Sequence, residues 1–279
     1  MLLWQWDELI LNALQEDMGP GDITTQLLIP EGEKGKGVIM AKEPGVIAGL
    51  PVAARVFSLL DPRVCFSPLC QEGQGVEAGT ILAQVGGPLR AILAGERVAL
   101  NFLQHLSGIA TRTSRMIQLI KGYPVRLLDT RKTTPGLRYL EKYAVRVGGG
   151  ANHRLGLFDG ILIKDNHIAA VGSVAEAVRR ARAGAPPFLK IEVEVKNLKE
   201  LQEALEAGAD IIMLDNMSLE EMAQAVQMAR GRALLEASGG ITEENIEKVA
   251  ATGVDFISLG ALTHSVKALD IALYIEEVG

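Results

Sequence analysis

Two different rhythms of apolar and polar positions divide the chain. From about residue 125 onward, short apolar runs recur: "VRLLD" (125–129), "GILIKD" (160–165), "IEVEV" (191–195), "DIIMLD" (210–215), "ALLEAS" (233–238) and "DFISLG" (255–260). Segments of helical spacing lie between them, at 173–183, 197–207, 218–230 and 243–252. Near-continuous apolar strands alternating with helices predict an α/β fold with a parallel sheet covered by helices. The repeat fits either an α/β barrel or an open doubly wound sheet. Nearly every run ends in polar groups: Asp129 to Lys132, Lys164 to Asn166, Glu194 with Lys196, Asp215 with Asn216, Ser238 to Gly240, and Gly260. A barrel gathers all those carboxyl ends around one mouth, whereas an open sheet spreads them along a line, so the barrel is predicted. Six strands are clear, a seventh is expected near 144–148, and an eighth is not found.

The first part of the chain has another texture. Leu3, Trp6, Leu9, Ile10, Ala13 and Leu14 fall at helical spacing, and "GPGD" at 19–22 ends that helix. From about 35 to 95, β-rich runs ("KGVIMAKEPGVIAGL", "GTILAQVGG", "LRAILAG") are separated by glycine turns. The run "EGQGVEAGTILAQVGG" resembles the hammerhead turns of biotinyl and lipoyl carriers, but no lysine sits at a hairpin tip, so a structural sandwich is expected. At 95–120 the pattern turns helical, with Val98, Phe102, His105, Leu106 and Ile109 on one face and Asn101, Gln104 and Arg112 offset from it.

Composition narrows the function. The 279 residues are 48% hydrophobic, enough for one large or two modest cores. Only 4% are aromatic and the formal net charge is −6, which argues against nucleic-acid and anionic-membrane partners. No uncharged apolar run approaches the ~20 residues that span a bilayer, and no basic leader precedes an apolar signal core. A cytoplasmic protein is expected. Cys65 and Cys70 lack zinc-site spacing and read as reduced thiols.

Charge is nevertheless concentrated. Between 126 and 167 eight cations face four acids, so this window carries +4 and the remainder −10. It also holds His153 and His167. A cationic basin in an acidic chain points to an anionic small molecule focused into one cleft. A solvated charged helix around 138–146 accounts for Arg138, Glu141 and Lys142, but not for Arg131, Lys132 and Lys164 at strand ends. Glu192 and Glu194 lie two apart, on one side of a strand. Glu194 and Asp215 could hold Mg²⁺ or pair with Lys132, Lys164 or Lys196. "LEASGGIT" and "ISLGALTHS" offer glycine backbone N–H groups, each with a following helix, to a phosphate. Gly148 to Gly150 follow no nucleotide-loop spacing and read as a flexible loop presenting Asn152, His153 and Arg154. His105 and His264 read as local hydrogen-bonding residues, and Met213 and Met222 as core.

The block "DTRKTTPGLRYLEKYAVRVGGGANHRLGLFDGILIKDNH" resembles the central signature of the quinolinate phosphoribosyltransferases, the carboxylating nicotinate-nucleotide pyrophosphorylases. The similarity extends to "EDMGPGDITT", "AKEPGVIAGL", "GERVALNFLQHLSGIAT", "EVEV", "LDNM", "ASGGI" and "SLGALTHS", essentially the whole chain. It implies an incomplete, seven-stranded TIM-like α/β barrel (111–266) plus an N-terminal open-faced α/β sandwich domain (1–110, joined by the tail 267–279). The implied reaction joins quinolinate to phosphoribosyl pyrophosphate (PRPP) with Mg²⁺, giving nicotinate mononucleotide, pyrophosphate and CO2. By resemblance Arg131, His153 and Arg154 hold the two carboxylates with Lys164 nearby, and Thr130 joins the substrate-binding set. Arg97 reaches the site from a neighbouring subunit, which implies a homodimer or a higher oligomer. Lys132 and Lys164 contact PRPP. Glu194 and Asp215 hold the ribose hydroxyls and the Mg²⁺–PRPP complex, and with the two lysines form the catalytic set. Ser238, Gly239, Gly240 and Gly260 take the 5-phosphate. Two other readings stay open. Lys164 stands where a Schiff-base lyase places its lysine, and an altered-substrate relative would bind PRPP without turning over quinolinate.

Overall fold

The computed structural model describes residues 4–278. In chain order the elements are α1 (Trp4–Met18), α2 (Ile23–Leu28), β1 (Lys34–Ala41), β2 (Gly45–Val46), α3 (Leu50–Leu60), β3 (Cys65–Pro68), β4 (Gly75–Val76), β5 (Ile81–Pro88) and α4 (Leu89–Leu119). Then follow β6 (Arg126–Leu128), α5 (Arg138–Val147), β7 (Ile161–Ile163), α6 (Asp165–Val171), α7 (Val174–Gly184), β8 (Ile191–Val195), α8 (Leu198–Glu206) and β9 (Ile211–Asp215). The chain closes with α9 (Leu219–Ala229), β10 (Leu234–Ser238), α10 (Ile246–Ala251), β11 (Phe256–Ser258), α11 (Ala261–His264) and β12 (Ile271–Val278). Two compact units result, one of 1–112, 147–149 and 266–279, the other of 113–146 and 150–265. Among the described residues no helix is long and apolar enough to cross a membrane.

The first unit carries a four-stranded antiparallel sheet in the order β12-β1-β5-β3, and a small β2-β4 pair. The C-terminal strand therefore returns to the N-terminal sheet, pairing Ala41 with Ile271 and Gly35 with Val278. Leu3, assigned to the first helix on periodicity, lies outside the described residues. Two readings are corrected here. "LRAILAG" is the first two turns of α4, not a strand, and Leu50–Leu60 is a helix inside the stretch read as β-rich. Short apolar runs do not distinguish buried helix from strand.

The second unit is a six-stranded parallel sheet in the order β6-β11-β10-β9-β8-β7. Its strands are apolar and buried, as both faces of a parallel sheet require. Helices after them begin at side-chain caps: Ser173 for α7, Asn197 for α8 and Ser218 with Glu221 for α9. The seventh strand is corrected. Residues 144–147 end α5, and the extra pairing is a single bridge between Ala151 and Leu128 at the β6 edge. Lys132 beyond β6 and Lys164 beyond β7 line one cavity although those strands are the two ends of the sheet order. Five strand spacings of ~4.8 Å would hold them far apart in a flat sheet, so the sheet is curled into an incomplete barrel.

Candidate active site

Strand alternation builds the site in two layers. Two residues apart on each strand, Leu162 and Lys164, Glu192 and Glu194, Met213 and Asp215, Glu236 and Ser238, and Ser258 and Gly260 repeat one side of the sheet. Register is staggered rather than level: Glu192 is opposite Leu162, but Met213 is opposite both Glu194 and Glu236, and Ser238 opposite both Asp215 and Ser258. The upper layer, the loops above it, and Leu162, Met213 and Ser258 of the lower layer line a cavity of roughly 630 Å³, a volume typical of small-molecule sites. Thr130, Arg131, Lys132, His153, Arg154, Lys164, Glu194, Asp215, Ser238, Gly239, Gly240 and Gly260 all reach it. Of the residues singled out in the sequence for this site, Arg97 is not among them. It lies exposed on α4 in the other compact unit.

The loops are held from below. Asp129, fully buried at the end of β6, takes the Lys142 ammonium and the Asn152 amide, and its Oδ1 accepts the His153 N–H at 2.9 Å. Lys142 Nζ also donates to the His153 carbonyl at 3.0 Å. Burial pushes the Asp129 carboxyl up and the Lys142 ammonium down, while their attraction opposes both shifts. Glu141 and Lys142 are therefore not on a solvated helix face, as their sequence setting implied; both are buried. Glu141 Oε2 accepts the Thr134 N–H at 3.1 Å and Arg138 Nε donates to Thr133 Oγ1 at 2.9 Å, so α5 fixes the 130–134 loop. Past the triple glycine, Gly150 N–H donates to Val145 O and Ala151 N–H to Leu127 O, at 2.9 and 2.8 Å.

Cations dominate the wall. Lys132 is exposed and Arg131 half-buried, with its Nε unpartnered. Arg154 Nη1 donates to Gly160 O at 3.0 Å, and its buried Nε is also unpartnered. Burial, then the neighbouring Arg131 charge, lowers the Arg154 guanidinium from its ordinary value. Buried donors without partners are rare and mark a place prepared for an acceptor. Lys164 Nζ lies 3.1 Å from Glu194 Oε2, and Asn216 Nδ2 donates to Asp215 Oδ1 at 3.0 Å.

On the phosphate-like side the backbone requires glycine at Gly239, while Gly260 packs against a flexible lysine. Gly239 has φ +92°, and a Cβ there would lie 2.3 Å from Asn216 Oδ1. A Cβ on Gly260 would lie 2.8 Å from Lys132 Cδ. The helix expected over 243–252 is α10, Ile246–Ala251, so loop residues separate its N-terminus from Gly240. His264 lines the cavity while its Nδ1 meets Ser265 Oγ at 2.7 Å. His167 Nδ1 accepts the Lys164 N–H at 2.9 Å and caps α6.

One layer down lies a cluster that sequence reasoning missed. His153 Nε2 is 3.1 Å from Glu192 Oε2 and 3.5 Å from Glu236 Oε2, while Nδ1 accepts the Arg154 N–H at 2.7 Å. Both ring nitrogens are thus engaged. Burial lowers the imidazole, but the Glu192 hydrogen bond and the two carboxylate charges outweigh it and raise it above its ordinary value. Burial and the Glu192 charge push the Glu236 carboxyl up to about 7. Glu192 Oε1 is buried without a partner, while the Ser258 hydroxyl beside Glu236 partly offsets that rise. The available signal was a carboxylate inside an apolar run, "ALLEAS", as in "IEVEV".

Comparison with known proteins gives the same architecture. The models "Quinolinate phosphoribosyl transferase, N-terminal domain" and "Quinolinate phosphoribosyl transferase, C-terminal domain" match residues 22–107 and 109–274. A probable nicotinate-nucleotide pyrophosphorylase [carboxylating] of Synechocystis is 52% identical over 272 residues, covering 96% of this chain and 92% of the relative. One of Bacillus subtilis is 46% identical over 269 residues, covering 96% and 93%. The crystal structure of NadC from Streptococcus pyogenes superposes with a TM-score of 0.95 at 45% identity, covering 100% of this chain and 98% of that one.

Proposed function

The chain belongs to the quinolinate phosphoribosyltransferase family, and from that premise we propose how its cavity performs the family's reaction. It transfers the phosphoribosyl group of PRPP to quinolinate with decarboxylation, giving nicotinate mononucleotide, pyrophosphate and CO2 for NAD synthesis. The observation that carries this reading is the convergence of Arg131, Lys132, Arg154 and Lys164 on one cavity of an acidic chain.

Two unpartnered guanidinium Nε atoms, on Arg131 and Arg154, supply planar donors for adjacent carboxylates. His153 supports that wall through the Arg154 backbone rather than through a free ring nitrogen. Lys132 and Lys164 face the diphosphate, and Thr130 completes the wall. Ser238, Gly239, Gly240 and Gly260 offer hydroxyl and backbone donors to the 5-phosphate. Glu194 and Asp215 are hard oxygen donors from adjacent strands, the kind Mg²⁺ takes, and would hold the ion with PRPP. Bound there, the ion would offset diphosphate charge. Arg97, exposed on α4, would complete the carboxylate site of a neighbouring subunit in a homodimer. Two free cysteines fit a reducing cytoplasm.

The pyridine nitrogen attacks the anomeric carbon as the bond from that carbon to the diphosphate oxygen breaks, and the oxygen keeps the electron pair as pyrophosphate leaves. The quaternised ring then accepts the electron pair left when the 2-carboxylate departs as CO2, and that carbon takes a proton. The protein contributes alignment and fixed charge, not a covalent nucleophile. Lys164, ion-paired to Glu194, serves that electrostatic role better than Schiff-base chemistry. The test is an assay with PRPP, Mg²⁺ and quinolinate, with nicotinate in parallel. Equal CO2 and nicotinate mononucleotide from quinolinate alone are expected. No product from folded protein would overturn the reading.

A further inference from the structure

From His153 at the cavity wall a cluster runs down to Glu192 and Glu236, two buried carboxylates for which the reaction has no use. Glu236 is 1% exposed and Glu192 5%, so water does not compensate their charge or the unpartnered Glu192 Oε1. The ring geometry limits the protons available. His153 Nδ1 accepts the Arg154 N–H, so the ring's proton is at Nε2, facing both carboxylates. The N–H of a neutral ring supplies a hydrogen bond but no counter-charge, and two like charges at one site force a proton onto one of them. Glu236 is the more buried of the two. Glu192 and His153 face it in the cluster, Ser258 on β11 lies beside it, Lys164 acts from the layer above, and its β9 neighbour Met213 is uncharged.

We propose that Glu236 is a positioning residue that holds a proton beneath the cavity, and that quinolinate binds well only while the proton is there. A neutral Glu236 leaves Glu192 to accept the His153 N–H, which seats the imidazole and, through Nδ1, the start of the Arg154 side chain. An ionised Glu236 adds a second negative charge under a dicarboxylate and competes for the same N–H. Binding of the dianion draws the proton on more tightly, so substrate binding and proton uptake are linked. This rests on reading the cavity as the quinolinate site.

The experiment measures KM for quinolinate and for PRPP between pH 6 and 8.5. In the wild type the quinolinate KM rises about tenfold on the alkaline side of neutrality, the size set by one proton over one pH unit, and the PRPP KM does not follow. Glu236→Gln flattens the quinolinate profile whatever its absolute rate, since its amide stays neutral. Glu192→Gln, which removes the charge beside Glu236, moves the alkaline limb to lower pH. Calorimetry of quinolinate binding to the wild type in buffers of different ionisation enthalpy shows proton uptake near pH 7.5, which E236Q loses. A flat wild-type profile, uptake that survives in E236Q, or a stoichiometric metal ion in the cluster that E236Q releases would overturn the proposal. Arg131→Ala separates the two failures. If R131A leaves the quinolinate KM unchanged, the cavity reading is wrong; if it raises that KM while E236Q keeps the wild-type pH profile, only the proton linkage is wrong.

Discussion

The barrel contains two buried charged clusters, and they are built to opposite rules. Around Asp129 the donors and acceptors match. Lys142, Asn152 and the His153 amide fill both carboxylate oxygens, and Lys142 also meets the His153 carbonyl. Around Glu236 they do not match: Ser258 stands beside one carboxylate, but Glu192 Oε1 lacks a partner and two carboxylates face one ring N–H. Burial is similar in the two places, with Asp129 at 0% and Glu236 at 1% exposure. The difference is therefore one of satisfaction, not of depth. A satisfied buried network fixes backbone, here the two loops that carry Arg131 and Arg154. An unsatisfied one retains a response to protons and ligands.

The largest effect should come from breaking the matched cluster. Lys142→Met leaves Asp129 buried without its cation and should cost about 3–5 kcal/mol in urea unfolding. The double variant with Asp129→Leu should recover much of that loss, because no charge is then stranded. A double variant as unstable as the single one would mean that Asn152 and the His153 amide, not the ion pair, carry the stability.

Arg131→Ala should do the reverse, leaving the circular dichroism spectrum and the unfolding midpoint near wild type. Its kcat/KM for quinolinate should fall by roughly 30- to 3000-fold, the equivalent of about 2–5 kcal/mol for a desolvated charge contact. An active R131A would refute its role at the carboxylates.

The unmatched cluster should show itself in the pH dependence of stability. The Glu236 carboxyl, at about 7 when folded, ordinarily sits at 4.5. The folded state then binds the proton more tightly than the unfolded state between those values. Stability from this group is full below the lower value and lost as pH rises through the upper one. The slope approaches ~1.4 kcal/mol per pH unit, at most ~3 kcal/mol in total. Glu236→Gln should remove the Glu236 share, so its unfolding free energy should fall less than that of the wild type between pH 5 and 8. Parallel curves would place the proton elsewhere.

The mouth of the barrel was legible in the sequence because polar residues at the ends of apolar strands announce themselves. Arg131, Lys132, Lys164, Glu194 and Asp215 each break an apolar run. The floor was not legible. Glu192 and Glu236 look alike on paper, and nothing local says that one imidazole stands between them. Lys142 was misread for the same reason, since its helix shows charged residues whose partner, Asp129, is thirteen positions away. The fold shows a similar divide. Strands followed by long amphipathic helices were placed within a few residues, whereas Leu89 to Gly95 and Leu50–Leu60, apolar and flanked by glycine, lost their helical signal. The seventh strand is one bridged residue, Ala151, too short to leave any periodicity.

The smallest prediction calibrates the others. Ser173 has extended backbone, φ −157° and ψ 159°, and its Oγ accepts the Glu176 N–H at 3.2 Å to start α7. Glu176 separately pairs with Arg179 and Arg180 at 2.8 Å, and those exposed pairs survive the change. Ser173→Ala therefore removes one cap and strands no charge. It should cost about 1 kcal/mol, a drop of roughly 2–4 °C in Tm for a chain of this size. The cost should be equal at pH 5 and 8, because no titrating group is involved. If S173A cost as much as K142M, a stranded buried charge would not be what makes the Asp129 cluster expensive to break. If its cost changed with pH as the wild-type stability does, the slope assigned to Glu236 would have a source outside the barrel floor.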